Sequence, residues 1–265
     1  MAIHPSAIVE DGAKLGAGVE IGPFCHIGPQ VELCEGVSLK SHVVVAGRTT
    51  IGARTRIFPF ASLGHEPQDL KYRGEDSTLV IGSDCLIREA VTMNPGTAGG
   101  RLTTIIGDRC AFLANSHVGH DSIIGHDCVF SNNAMIAGHV TMGDWVICGG
   151  GSAVVQFARV GSHAFVGGLT GVAADLIPFG LVFGSRGVLM GLNLVGLKRR
   201  NFSREQIHEL RRAYRALFAP EGTLKERLED VEQEFAGNPE VTEILEFIRA
   251  GGDKQLCVPE AGKVA

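Results

Sequence analysis

The chain has 265 residues, a formal net charge of −5 and seven cysteines, with 45% hydrophobic residues but only 6% aromatic ones. The acidic balance argues against a nucleic-acid partner, and an odd cysteine count without a CxxC pair argues against disulfides or a cysteine-held zinc and points to a reducing cytoplasm. No apolar run reaches the length of a membrane span, and a repeat already under way at Ile3 leaves no room for a signal peptide.

From Ile3 onward the chain keeps a six-residue beat: Val9, Leu15, Ile21, Ile27, Leu33, Leu39, Val45, Ile51, Ile57 and Leu63. The fifth residue of each hexad is small or β-branched, as at Ala7, Ala13, Val19, Cys25, Val31 and Val37. A period of six drifts around a 3.6-residue turn, so no helix keeps this pattern on one face. Short repeats of this kind build a parallel β-solenoid. Three hexads make a triangular coil of 18 residues, and the repeat is long enough for about nine coils stacked about 4.8 Å apart. Gly, Asp, Asn and Pro gather at the corners, where φ must be positive or fixed. The first and fifth hexad residues share a narrow interior with little room for aromatic rings. Cys25, Cys85, Cys110 and Cys128 at the fifth position, and Cys148 at the first, read as core fillers. Parallel crossovers are right-handed as a rule; the beat itself does not set the hand.

The beat breaks twice. Residues 65–78 and 96–103 are polar and glycine-rich, and after the second the phase has moved by one residue. Insertions leave a solenoid as loops, often on its binding face. Between them the repeat returns at Ile81, Ile87 and Met93, and it then runs from Ile106 to Val172. The solenoid is therefore expected over residues 1–186.

Helical signals take over in residues 187–265. Ser203 and Gln206 form a capping box ahead of Ile207, Leu210, Tyr214 and Leu217; Thr223 and Glu226 repeat it ahead of Leu224, Leu228 and Val231. Asn238-Pro239 opens a third helix, closed by Gly251-Gly252, and residues 253–265 read as a frayed tail. Such a domain covers the open end of a solenoid, whose bare strand edges invite aggregation. Lys198, Arg199, Arg200, Arg204, Arg211, Arg212 and Arg215 face only two acids over the same stretch, an excess that favours an acidic partner or a phosphate over an ordinary solvated face.

The segment Asn115 to Asp121 carries the chemistry. Val118 begins a hexad, so His120 is its third residue and lies near the outer surface. One coil on, Gly138 stacks beside His120 and His139 beside Asp121. An imidazole, a carboxylate and a second imidazole thus come within hydrogen-bonding reach, next to a glycine whose N–H can be approached closely. A carboxylate on one ring nitrogen fixes the tautomer and leaves the other as a base near neutral pH. Polar ladders on a solenoid surface give the same spacing, so spacing alone leaves catalysis open.

At these residues the chain resembles the UDP-N-acetylglucosamine O-acyltransferase family of hexapeptide-repeat acyltransferases. The likeness runs through His4-Pro5, Gln68 to Tyr72, Asn115 to Asp121, Ala137 to Val140, Gln156-Phe157, Val166 to Gly168, Gly196 to Arg200 and Phe202 to Glu205. It implies a left-handed parallel β-helix with a C-terminal helical domain, a cytoplasmic homotrimer with its sites between subunits, the loops reaching across, and no cofactor or metal. The reaction it implies is transfer of an (R)-3-hydroxyacyl chain from acyl carrier protein to the 3-position of UDP-N-acetylglucosamine, the first step of lipid A synthesis. His120 would be the general base, Asp121 its orienter and the Gly138 N–H the oxyanion donor. Asp69, Lys71, His117, His139 and Gln156 would contact the acceptor or line the cleft, Asn193, Arg199 and Arg200 would lie near the nucleotide, and Gly168 would limit acyl length on the same outward row as His120. The basic run would suit acyl carrier protein.

Four places depart from the family pattern: Asn94 and Val155 where a histidine is usual, Val195 where an acid is expected, and the segment Gly184 to Gly187. They leave the acceptor atom open between a 3-hydroxyl and a 3-amine. Two readings of other classes stand beside this one. A zinc γ-carbonic anhydrase would use His117, His120 and His139 as ligands, and a non-enzymatic β-helix would show a flat threonine ladder without loops.

Overall fold

The computed structural model describes residues 2–260. Strands of mostly two residues follow one another from Ala2–Ile3 to Gly171–Val172 and sort into three sheets of 11, 9 and 8 strands. Each strand pairs in parallel with its equivalent one coil away, as Ile3 does with Ile21 and Val118 with Ile136. The solenoid is a left-handed parallel β-helix with three flat faces. Ala111–Phe112 and Val129–Phe130 belong to the first face, His117–Val118 and Met135–Ile136 to the second, Ile123–Ile124 and Thr141–Met142 to the third.

The first and fifth hexad residues fill the interior, from Val19, Ile21, Cys25 and Ile27 to Ala164 and Val166. Aromatic rings do fit there, contrary to the sequence expectation. Phe112 and Phe130 are fully buried with centroids 4.6 Å apart and planes 2° from parallel. Their separation matches the rise between coils, so flat rings stack along the axis without widening it. The cysteines at interior positions are free and buried.

Two positions in the hexad are constrained differently. At several second residues the coils approach so closely that only glycine fits, as where a Cβ on Gly119 would lie 2.7 Å from the Gly138 nitrogen. At the fourth residue the backbone turns into the left-handed region, and the sequence uses far more than Gly, Asp and Asn there. Phe24, His42, Phe60, Trp145 and His163 all have φ between 59° and 65°. Such residues cost about 1–2 kcal/mol each, offset by a bond to the neighbouring coil, as from His42 N to Pro23 O at 3.0 Å and from His163 N to Asp144 O at 2.8 Å.

The two insertions lengthen single coils without breaking the sheets. Ile51 pairs with Ile81 across the first, and Ile81 with Ile106 across the second. The latter interval is seven residues longer than a normal coil, one hexad plus one residue, which explains the phase shift.

The regular coil ends at an antiparallel hairpin, Gly180–Phe183 with Val188–Leu192. Its turn holds Gly184 at φ 90° and Gly187 at φ 66°, so residue 186 lies within that turn. A short helix the sequence reading lacks, α1 (Leu194–Arg199), precedes the three expected ones, α2 (Arg204–Leu217), α3 (Leu224–Glu234) and α4 (Pro239–Arg249). Both capping boxes form, at Ser203 and Thr223. Residues 255–258 are not frayed. Asp175 N donates to Gln255 O at 2.7 Å, Cys257 N donates to Asp175 O at 2.8 Å, and Cys257 is buried against the last coil. The rest of the expected tail, 261–265, lies outside the described residues. Among the described residues, no helix is long and apolar enough to cross a membrane.

Candidate active site

The site stands on the corner between the second and third faces. His120, Gly138 and Gln156 stack there as third hexad residues, and Asp121, His139 and Phe157 stack as fourth residues with φ of 60°, 62° and 65°. His120 is 8% exposed and Asp121 fully buried. The His120 Nδ1–H donates to Asp121 Oδ2 at 2.8 Å. In the neutral imidazole that bond makes Nε2 the acceptor nitrogen, and Nε2 is turned toward the next coil, where a Cβ on Gly138 would sit 2.6 Å from it. Only glycine leaves room for the ring. The Gly138 N–H donates to no group among the described residues.

The second loop closes over Asp121 of its own chain. Thr97 N lies 3.1 Å from both carboxylate oxygens, Thr97 Oγ1 donates at 2.7 Å and Arg101 N at 2.6 Å. Arg101 also reaches the Asp121 carbonyl with its guanidinium at 2.7 Å. Burial would push the Asp121 carboxyl up, but the bonds from His120, Thr97 and Arg101 outweigh it and hold the group below the usual carboxylate range.

His139 lies flat on Phe157, centroids 4.4 Å apart, and meets the His120 ring edge-on at 4.9 Å. Its Nε2 is 3.9 Å from Asp121 Oδ2. Burial pushes its pKa down; the Asp121 charge opposes this, His120 and Arg101 add to it, and Asp69 opposes it. Asp69 of the first loop is therefore close enough to act on the corner, its Oδ1 accepting from Lys71 N at 3.0 Å, while Lys71 itself is exposed. His117 is half-buried with Nδ1 2.7 Å from Thr92 Oγ1, and burial lowers its pKa too. Asn94 ties down the start of the first loop, its Nδ2 donating to His65 O at 3.1 Å and to Glu66 O at 3.2 Å. Val155 is exposed on the same corner, beside Gln156.

His120, Asp121 and His139 offer ligand atoms within 4.8 Å of one another. The carboxylate already accepts from Thr97, Arg101 and His120, so a cation there would have to displace protein donors. His117 is no part of that cluster, and the three-histidine zinc set does not assemble within the chain.

Two groups of expected site residues lie elsewhere. Gly168 stacks over Gly150, its Cβ position 3.4 Å from the Gly150 carbonyl oxygen, on the corner between the first and second faces. It does not share the row of His120, because the hexad of Val166 precedes a different corner from the hexad of Val118. Asn193, Arg199 and Arg200 line a groove of about 790 Å³ on the first face, with Trp145, Phe165 and Phe183, and no residue of the His120 corner lines it. Asn193 caps α1, accepting from Gly196 N at 3.0 Å, and donates to His163 O at 2.9 Å. Arg200 donates to Trp145 O at 2.8 Å and lies 5.3 Å from that ring. Arg199 and Val195 are exposed.

The sequence reading gave no role to Thr97, Gly100, Arg101 or Phe157. Phe157 was within reach of the 18-residue step that places it over His139. Thr97, Gly100 and Arg101 sit in an insertion where that step does not apply, and nothing in their spacing marks them.

Residues 175–257, the closing hairpin together with the helical domain, match the model described as UDP N-acetylglucosamine O-acyltransferase, domain 2, and residues 12–47 and 103–138 match the bacterial transferase hexapeptide model. An acyl-[acyl-carrier-protein]–UDP-N-acetylglucosamine O-acyltransferase from Methylobacterium radiotolerans is 66% identical over 97% of this chain and 95% of its own length. One from Rhizobium johnstonii is 51% identical over 98% of this chain and 96% of its own. A crystal structure of a UDP-N-acetylglucosamine acyltransferase overlays with a TM-score of 0.94 at 40% identity, covering 98% of this chain and 100% of that one. The solenoid, its two loops and the helical cap thus recur as one unit along nearly the whole of these proteins, and the chain belongs to the UDP-N-acetylglucosamine O-acyltransferase family.

Proposed function

We propose that the protein transfers an (R)-3-hydroxyacyl chain from acyl carrier protein to the 3-hydroxyl of UDP-N-acetylglucosamine, the step that begins lipid A synthesis, in the cytoplasm and as a homotrimer. The observation that carries this reading is the pairing of His120 and Asp121 beside Gly138. With Nδ1–H committed to Asp121, His120 Nε2 takes the proton of the acceptor hydroxyl, whose oxygen attacks the thioester carbonyl. The Gly138 N–H, free of any acceptor among the described residues, holds the oxyanion that forms, a contribution often larger than that of the base itself. Collapse of that intermediate makes the ester and expels the carrier thiolate, which takes the proton back from His120.

Asp69, Lys71, His117, His139 and Gln156 surround the acceptor in this account. Gly168 limits the acyl tail, and Asn193, Arg199 and Arg200 serve the nucleotide, Asn193 chiefly by setting α1. Because these two groups stand away from the His120 corner of one chain, the complete site takes them from a neighbouring subunit. The carrier, an acidic protein, docks on the basic face of α2. Arg204, His208, Arg211 and Arg215 are exposed at helical spacing on one side of that helix.

The test is product identity. UDP-N-acetylglucosamine and its 3-amino analogue are each incubated with a ladder of acyl carrier protein thioesters, and the products are weighed by mass spectrometry. An O-acylated sugar supports the reading. Acylation of the amine alone, or no transfer from any thioester, overturns it.

A further inference from the structure

The second loop presents an unusual concentration of donors to one buried carboxylate. Thr97 contributes its N–H and its hydroxyl, and Arg101 contributes its N–H, all to Asp121. The loop comes this close only because residue 100 is glycine: a Cβ there would overlap the Asp121 carboxylate. The same carboxylate accepts the His120 Nδ1–H. A carboxylate free to turn about its last torsion would present either oxygen, or neither, to the imidazole. Three donors from one loop fix its plane.

We propose that Thr97 is a positioning residue of the reaction, acting through Asp121 to hold the tautomer and aim of His120, and that Gly100 is the space this requires. The inference rests on His120 being the base. Thr97 touches neither ring nitrogen of His120, so its whole effect passes through the carboxylate. A hydrogen bond to a charged group contributes enough to predict a fall in kcat of about 10–100-fold when it is removed.

The experiment measures kcat and KM for the sugar nucleotide in Thr97→Val, Thr97→Ser and Gly100→Ala, each also combined with Asp121→Ala, with thermal melting as the check of folding. Thr97→Val should lower kcat by about 10–100-fold at nearly constant KM. Thr97→Ser, which keeps the hydroxyl, should restore most of it, and Gly100→Ala should resemble Thr97→Val. In the Asp121→Ala background Thr97→Val should cost nothing further. A Thr97→Val enzyme with normal kcat, a change in KM alone, or an equal loss with and without Asp121 would each overturn the proposal. His120→Ala, run alongside, separates the two levels. If it keeps normal turnover the base assignment fails, whereas if it is inactive while Thr97→Val is normal only the positioning role fails.

Discussion

Gly168 and His120 stand on different corners of the triangular coil, separated by the second face. Both are third residues of their hexads, and the repeat alone makes them look alike. In the proposed reaction the acyl tail begins at the thioester carbonyl beside His120, and it would pass Gly168 of the same chain only by crossing a whole face. A neighbouring subunit can present its Gly168 corner directly.

This arrangement predicts a steric effect. Gly168→Met should shift preference toward shorter 3-hydroxyacyl donors by orders of magnitude in the ratio of kcat/KM values, since each methylene denied burial costs about 0.8 kcal/mol and a clash costs more. It also predicts complementation. With the site shared between subunits as proposed, His120→Ala and Gly168→Met chains assembled together should recover long-chain transfer, because some sites then combine an intact His120 with an intact Gly168. No recovery on mixing would place both residues of a working site in one chain.

The basic helix gives a second prediction. Arg212 is already engaged by Glu209 and Glu234 and covers the Phe235 ring, whereas Arg204, Arg211 and Arg215 are exposed. Replacing those three with Glu should raise KM for the acyl carrier protein donor and leave the sugar-nucleotide KM alone. Added salt should weaken donor binding to the wild type, because exposed charges are screened over about 8–10 Å. Arg212→Glu should instead lower stability. An unchanged donor KM in the triple variant would make this face an ordinary solvated one.

His163 carries a prediction about pH. It is packed between Trp145, Phe179 and Phe202, and burial, with the nearby Arg200 charge, pushes its pKa down to about 4. An unfolded chain would bind that proton near pH 6.5. Between these values the unfolded state holds more protons, so stability falls as pH drops from about 6.5 toward about 4, by at most about 1.4 kcal/mol per pH unit from this group. His117 and His139 act in the same direction. His163→Phe keeps the stack without the titration and should flatten the slope of melting temperature against pH between 7 and 5. An unaltered slope would assign the acid sensitivity to other groups.

Much of this architecture was legible from the beat of apolar residues. A strict six-residue period excludes a helix and calls for a triangular parallel solenoid, though it leaves the hand open, and the 18-residue step placed Gly138 over His120 and His139 over Asp121 before any coordinates. What was missed follows from the same logic. Gly168 was misplaced because only its place within the hexad was compared with that of His120: the 18-residue step from His120 runs through 138, 156 and 174 and never reaches 168. The step is silent inside insertions, where Thr97 and Arg101 reach Asp121 by a path no period encodes. The left-handed corners held by Phe24, Phe60 and Trp145 escaped a composition rule, because bonds between coils, and not local preference, fix those torsions.

The most direct test of the account is the turnover of folded His120→Ala protein, measured with the wild-type sugar nucleotide and acyl carrier protein donor. Loss of the base should reduce kcat by about 10²–10⁴, with melting temperature and subunit assembly preserved. His139→Ala should lose less. A folded His120→Ala enzyme that keeps near-normal turnover would contradict the account and remove His120 from the chemistry.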